Sequence, residues 1–66
     1  MDFTEKAKIR IANWMHHNEH HQEEYELFAD QLEKEAKSES ARHIRDMAAL
    51  SAKANECLKK ALTGLE

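Results

Sequence analysis

Sixty-six residues allow one small domain, and a chain this short buries only about 60% of its unfolded surface, so its core is marginal without a staple or a partner. Its single cysteine, Cys57, excludes an intramolecular disulfide and any zinc-finger spacing, and a lone thiol fits a reducing compartment. The net charge of −3 is spread as interspersed signs, with no basic block and only short apolar runs; nucleic acid, a membrane span and a signal peptide are not expected, and a soluble, cytoplasmic protein is.

The sequence has no proline and one glycine, Gly64, and strong helix formers dominate, so the chain reads as nearly all helix. Its first dozen residues admit two readings. Phe3, Ala7, Ile11 and Trp14 follow a helical stripe, whereas Lys6-Ala7-Lys8-Ile9-Arg10-Ile11 alternates like a strand. If Asn13 caps, the first helix spans residues 13–37. If it starts near Thr4, it spans 4–37 and projects roughly 15 Å beyond its partner at 1.5 Å per residue. Its apolar seam runs through Ile11, Trp14, Asn18, His21, Tyr25, Phe28 and Leu32, spaced alternately three and four.

Inside this helix lies H-H-N-E-H-H-Q-E-E, residues 16–24, with four of the five histidines of the chain. Helical spacing sorts it into two stripes: His17, His21 and Glu24 bordering the seam, and His16, His20 and Glu23 pointing toward solvent. Two imidazoles one turn apart can share a zinc, nickel, cobalt or copper ion, with a carboxylate on the next turn as a third ligand.

The polar Lys37-Ser38-Glu39-Ser40 marks a turn at about 37–40, either serine being able to cap a second helix over about 41–64. That helix carries a seam through Ile44, Met47, Ser51, Ala54, Leu58, Ala61 and Leu65. Twelve residues separate Leu32 from Ile44, which rotates the second seam by roughly 120°. A continuous helix in a coiled coil would split the seams between faces; an antiparallel hairpin lets them meet. With Ser40 as cap, Phe28 falls opposite Ser51, Tyr25 opposite Ala54 and His21 opposite Leu58. Met15, Ala29, Ala36, Ala48, Leu50 and Leu62 widen the stripes beyond what one partner helix covers. The fold expected is therefore all-α: a helical hairpin that dimerises into a four-helix bundle.

In that register Cys57 stands within about a turn of the level of His21. His17, His21, Glu24 and Cys57 are the candidate metal ligands, with His16, His20 and Glu23 as a weaker set. The alternative is structural: a seam histidine hydrogen-bonded to a neighbour, and surface histidines beside glutamates that need no ligand. A buried neutral His21 would also make packing sensitive to acid. Asn18 in the seam is suited to setting register, and Trp14 and Tyr25 read as core aromatics. The Glu-x-x-His pairs of di-iron bundles are absent from both seams, and no enzyme activity is expected.

Trp14-Met15-His16-His17-Asn18-Glu19-His20-His21-Gln22-Glu23-Glu24-Tyr25 resembles a small uncharacterised family of helical-hairpin domains. Its pattern is a tryptophan followed by H-N-x-x-H-x-x-E and an aromatic, matched here by Trp14, His17, Asn18, Glu19, His21, Glu24 and Tyr25. His16 and His20 lie outside it. Members occur alone or attached to transition-metal uptake proteins such as nickel or cobalt transporters. The chain departs from the family at Asn13, where a histidine or proline is common, and at Lys37-Ser38, where the turn often has glycine. The resemblance implies a nickel, cobalt or zinc connection and a metal-transport partner, with no established activity. The leading expectation is an accessory module that binds or senses a transition metal; an oligomerisation or protein-interaction module stands against it.

Overall fold

Two long helices and one tight turn account for the chain in the computed structural model, which describes residues 2–66. Helix α1 spans Phe3–Lys34 and α2 spans Ser38–Gly64, and they pack along their lengths as an antiparallel hairpin. The Cα trace measures 51 × 16 × 10 Å. No helix among the described residues is long and apolar enough to cross a membrane.

The start of α1 resolves the ambiguity of the first dozen residues. Asp2 is the N-cap, its carboxylate accepting the Glu5 N–H at 2.8 Å. Asp2-x-x-Glu5 thus has the spacing of a capping box and places an acidic residue in the first turn, where the helix dipole favours it. Residues 6–11 are helical, the strand-like alternation notwithstanding, and Asn13 caps nothing.

The break falls at residues 35–37, earlier than the polar run at 37–40 suggests. Ala36 adopts a left-handed conformation with φ 60°. The Lys37 N–H donates to the Leu32 carbonyl at 2.8 Å and the Ala36 N–H to the Glu33 carbonyl at 3.0 Å. This is a Schellman closure with alanine in the place usually held by glycine. The chain re-enters a helix at once: Lys37 is the N-cap of α2 and makes no side-chain capping bond, so neither Ser38 nor Ser40 caps.

The earlier turn changes the register. Asn18 Nδ2 donates to Asn55 Oδ1 at 3.0 Å, and Asn55 Nδ2 donates to the Met15 carbonyl at 3.0 Å. Asn18 therefore meets Asn55, and Gln22, not Phe28, comes level with Ser51. The slip from the expected pairing is about six residues, or about 9 Å. Beside the turn, Arg45 clamps α2 to α1 through Glu33 Oε1 at 2.6 Å and Asp30 Oδ1 at 3.0 Å.

The seam is also rotated. Ile11, Met15, Asn18, Gln22, Tyr25, Ala29 and Leu32 face Ala41, Ile44, Ala48, Ser51, Asn55, Leu58, Leu62 and Leu65, all buried or half-buried. Four of the seven positions of each expected seam are retained; Trp14, His21 and Phe28 on α1, and Met47, Ala54 and Ala61 on α2, stand on its flank. Small side chains explain the rotation. Ala29, Ala41 and Ala48 are the buried residues, at 0%, 0% and 2% exposure, and let the helices approach closely. Trp14 and Phe28 remain 53% and 51% exposed.

Candidate metal centre

His17 and His21 sit one turn apart on α1, on the flank that the rotated seam leaves open. Their Nε2 atoms converge to 2.7 Å, with ring centroids 4.3 Å apart and planes at 86°. A contact of this length between two imidazole nitrogens requires one to donate and the other to accept. The His21 side chain is 38% exposed. The buried seam histidine expected from the sequence is not formed, because Gln22 takes the seam position at that level.

The environment of His21 holds its ring in place. Tyr25 stacks on it with centroids 5.9 Å apart and planes 10° from parallel. Glu24 Oε1 lies 3.8 Å from Nδ1, on the edge of the ring away from His17. At that distance Glu24 makes no hydrogen bond to His21, and it does not stand beside the converging nitrogens as a third ligand.

The outer stripe does not stay separate. His20 Nε2 lies 3.2 Å from Glu24 Oε1, so the carboxylate of the inner stripe pairs with a histidine of the outer one, and the His20 side chain is exposed. His16 and Glu23 are exposed. Cys57 is exposed as well. It stands two residues beyond Asn55, level with the turn of α1 just before His17, not with His21. Among the described residues, no group of three or more His, Cys, Asp or Glu side chains is gathered closely enough to hold a metal ion. One hairpin therefore assembles a two-nitrogen donor pair with a carboxylate nearby.

The pair fits a first-row ion on distance. Metal–nitrogen bonds of about 2.0–2.1 Å put two nitrogens about 2.9 Å apart in a right-angled site and about 3.3 Å apart in a tetrahedral one. From 2.7 Å either is reached by small torsions of partly exposed side chains. A second surface feature lies nearby: Phe3, Ala7, Ile11 and Trp14 line a shallow apolar groove along the first turns of α1.

Residues 7–65 match the model of a family described as a domain of unknown function (DUF8180). The chain belongs to this family. The match takes in most of α1, with the whole histidine stretch, the turn at Ala36 and all of α2. No curated protein matches the chain, and no solved structure does. Two features of the site were readable in the sequence but passed over: the Asp2-x-x-Glu5 cap that makes α1 continuous, and Asn55, which at four residues beyond Ser51 mirrors Asn18 in the opposite seam.

Proposed function

We propose that this hairpin is a non-enzymatic accessory module that binds a transition metal, nickel, cobalt or zinc, through His17 and His21, and works as a homodimer. The observation that carries the reading is the convergence of the two Nε2 atoms at 2.7 Å on an open helix face. His17 and His21 supply borderline nitrogen donors, and the Glu24 carboxylate stands near the far edge of the His21 ring. When bound, the ion accepts both imidazoles as ligands and leaves its remaining positions to groups from outside one hairpin. The resemblance of residues 14–25 to domains attached to nickel or cobalt uptake proteins supports a metal-transport partner.

The test is direct. Ni²⁺, Co²⁺ and Zn²⁺ are titrated into the untagged wild type and into the His17→Ala/His21→Ala variant. Micromolar or tighter binding, lost in the variant while helicity by circular dichroism is kept, is the expected result. Millimolar affinity, or binding indifferent to the double substitution, would overturn it.

A second reading has its own observation. The same 2.7 Å contact is a hydrogen bond between the two imidazoles, and it braces a face that carries exposed Trp14 and Phe28. On that reading the histidines are structural and the hairpin is an oligomerisation or interaction module. It predicts a loss of association, not of metal, in the double variant.

A further inference from the structure

One hairpin leaves the metal reading short of ligands. His17 and His21 offer two nitrogens, and among the described residues no group of three or more His, Cys, Asp or Glu side chains is gathered to hold an ion. Zinc in a closed site takes four ligands. The helix face that carries the pair has a charge pattern of its own. Within about 50° of the direction midway between His17 and His21, at 100° per residue, α1 carries two cations and two carboxylates. The cations, Lys6 and Arg10, both precede the pair; the carboxylates, Glu24 and Glu35, both follow it.

From this face we infer that two copies of the chain join along α1, antiparallel, so that their histidine pairs meet and build one four-nitrogen metal site. The two-fold axis runs perpendicular to α1 at the level of Glu19, midway between His17 and His21. The inference rests on the metal reading above and names the source of the missing ligands.

Three features agree on that level. Charge is the first. The axis sets each residue level with the one equally far on the other side of position 19, so His17 stands level with His21 of the second copy. Arg10 and Glu24 lie nine and five residues from the axis, and Lys6 and Glu35 lie thirteen and sixteen. Each cation therefore meets a carboxylate of the other copy within about one turn. A parallel pairing would instead set Lys6 and Arg10 against their own counterparts.

Shape is the second feature. The apolar groove of Phe3, Ala7, Ile11 and Trp14 is rimmed by Lys6 and Arg10 and spans five to sixteen residues before the axis. Phe28, 51% exposed, lies nine residues beyond it, level with the groove of the other copy.

The third feature is on α2, whose row Met47, Ala54 and Ala61 faces the same side of the hairpin. The Asn18–Asn55 pairing carries the level of Glu19 across to Ala54, a small side chain where the two α2 helices come together. Met47 and Ala61 lie seven residues to either side of Ala54, so a large side chain meets a small one. The product is a four-helix bundle with its metal ligands on facing helices.

The pairing is tested with a chelator present, apart from any metal. His17→Cys/Cys57→Ser and His21→Cys/Cys57→Ser are oxidised separately and as a mixture, and covalent dimer is followed on a non-reducing gel. The mixture is expected to cross-link several times faster than either variant alone. Equal or faster cross-linking of the separate variants, or none anywhere, would overturn the axis. Light scattering is expected to give twice the chain mass for the wild type and the single-chain mass for Lys6→Glu/Arg10→Glu and for Glu24→Lys/Glu35→Lys. Their equimolar mixture is expected to regain twice the chain mass. A monomeric wild type, charge variants that stay dimeric, or a mixture that stays monomeric with helicity intact would each overturn the arrangement. The cysteine readout does not depend on the charge variants folding. With Zn²⁺ in place of chelator, the wild type is expected to saturate at one ion for two chains. Saturation at one ion per chain would overturn the four-nitrogen site. Absent binding beside the expected cross-linking would overturn the metal reading, and the site with it, while the pairing stands.

Discussion

His17 and His21 meet through Nε2 because their spacing of four stacks them on one helix face and because Tyr25 stacks on the second ring. Glu24 lies on the far edge of His21 without a hydrogen bond to it, so on the metal reading Glu24→Gln should change the Ni²⁺ isotherm little. His16→Ala should leave the isotherm unchanged, since that side chain stands apart from the pair. Ligation needs neutral imidazoles, so metal binding releases protons and weakens toward acid pH; titrations at two pH values in matched buffers would show it. Arg45 differs in kind. Hydrogen bonds to Glu33 and then Asp30 raise its pKa above the ordinary arginine value. A cation with a raised folded-state pKa contributes stability at every pH below its unfolded value and loses it only in strong alkali. Arg45→Ala should therefore lower the melting temperature across the neutral range, and the difference should shrink in high salt because the clamp is at the surface.

At the scale of the elements, the turn and the seam asparagines decide how the helices meet. Ala36 holds a left-handed conformation that costs a residue with a Cβ about 1–2 kcal/mol. Ala36→Gly should raise stability by about 0.5–1 kcal/mol in urea unfolding, part of the relief being offset by the greater backbone entropy of glycine. Asn18 and Asn55 work as a pair, each half-buried and each satisfied by the other helix. Asn55→Ala should cost about 1–2 kcal/mol by leaving Asn18 unpartnered, whereas replacing both by leucine should keep or raise stability while relaxing register. The amide pair thus trades some stability for a defined axial position, and that position sets which residues of α2 stand level with the histidines.

For the whole molecule, the three buried side chains are alanines; the larger apolar residues of the seam are only half-buried, and Trp14, Phe28, Met47 and Leu50 are exposed beside it. So thin an interior leaves little margin against the entropy of ordering the chain. If the face closes on a second copy, stability is linked to concentration. The melting temperature should then rise with protein concentration. Emission from Trp14, the only tryptophan, should shift to shorter wavelength over the same range as its ring leaves water. A melting temperature independent of concentration would count against the dimer.

The helical class, the hairpin and the histidine row were all legible in the chain, because helix propensity, the absence of proline and a three-four spacing are local properties. The seam was not. Trp14-His21-Phe28 and Met15-Gln22-Ala29 both satisfy that spacing, and only close packing at Ala29, Ala41 and Ala48 selects the second. Register was equally hidden, because it depends on a left-handed alanine and on two asparagines 37 residues apart. Those tertiary choices move His21 from the interior to an open flank and carry Cys57 away from its level. Local sequence determines that the histidines share a face; side-chain size across the two helices decides where that face points.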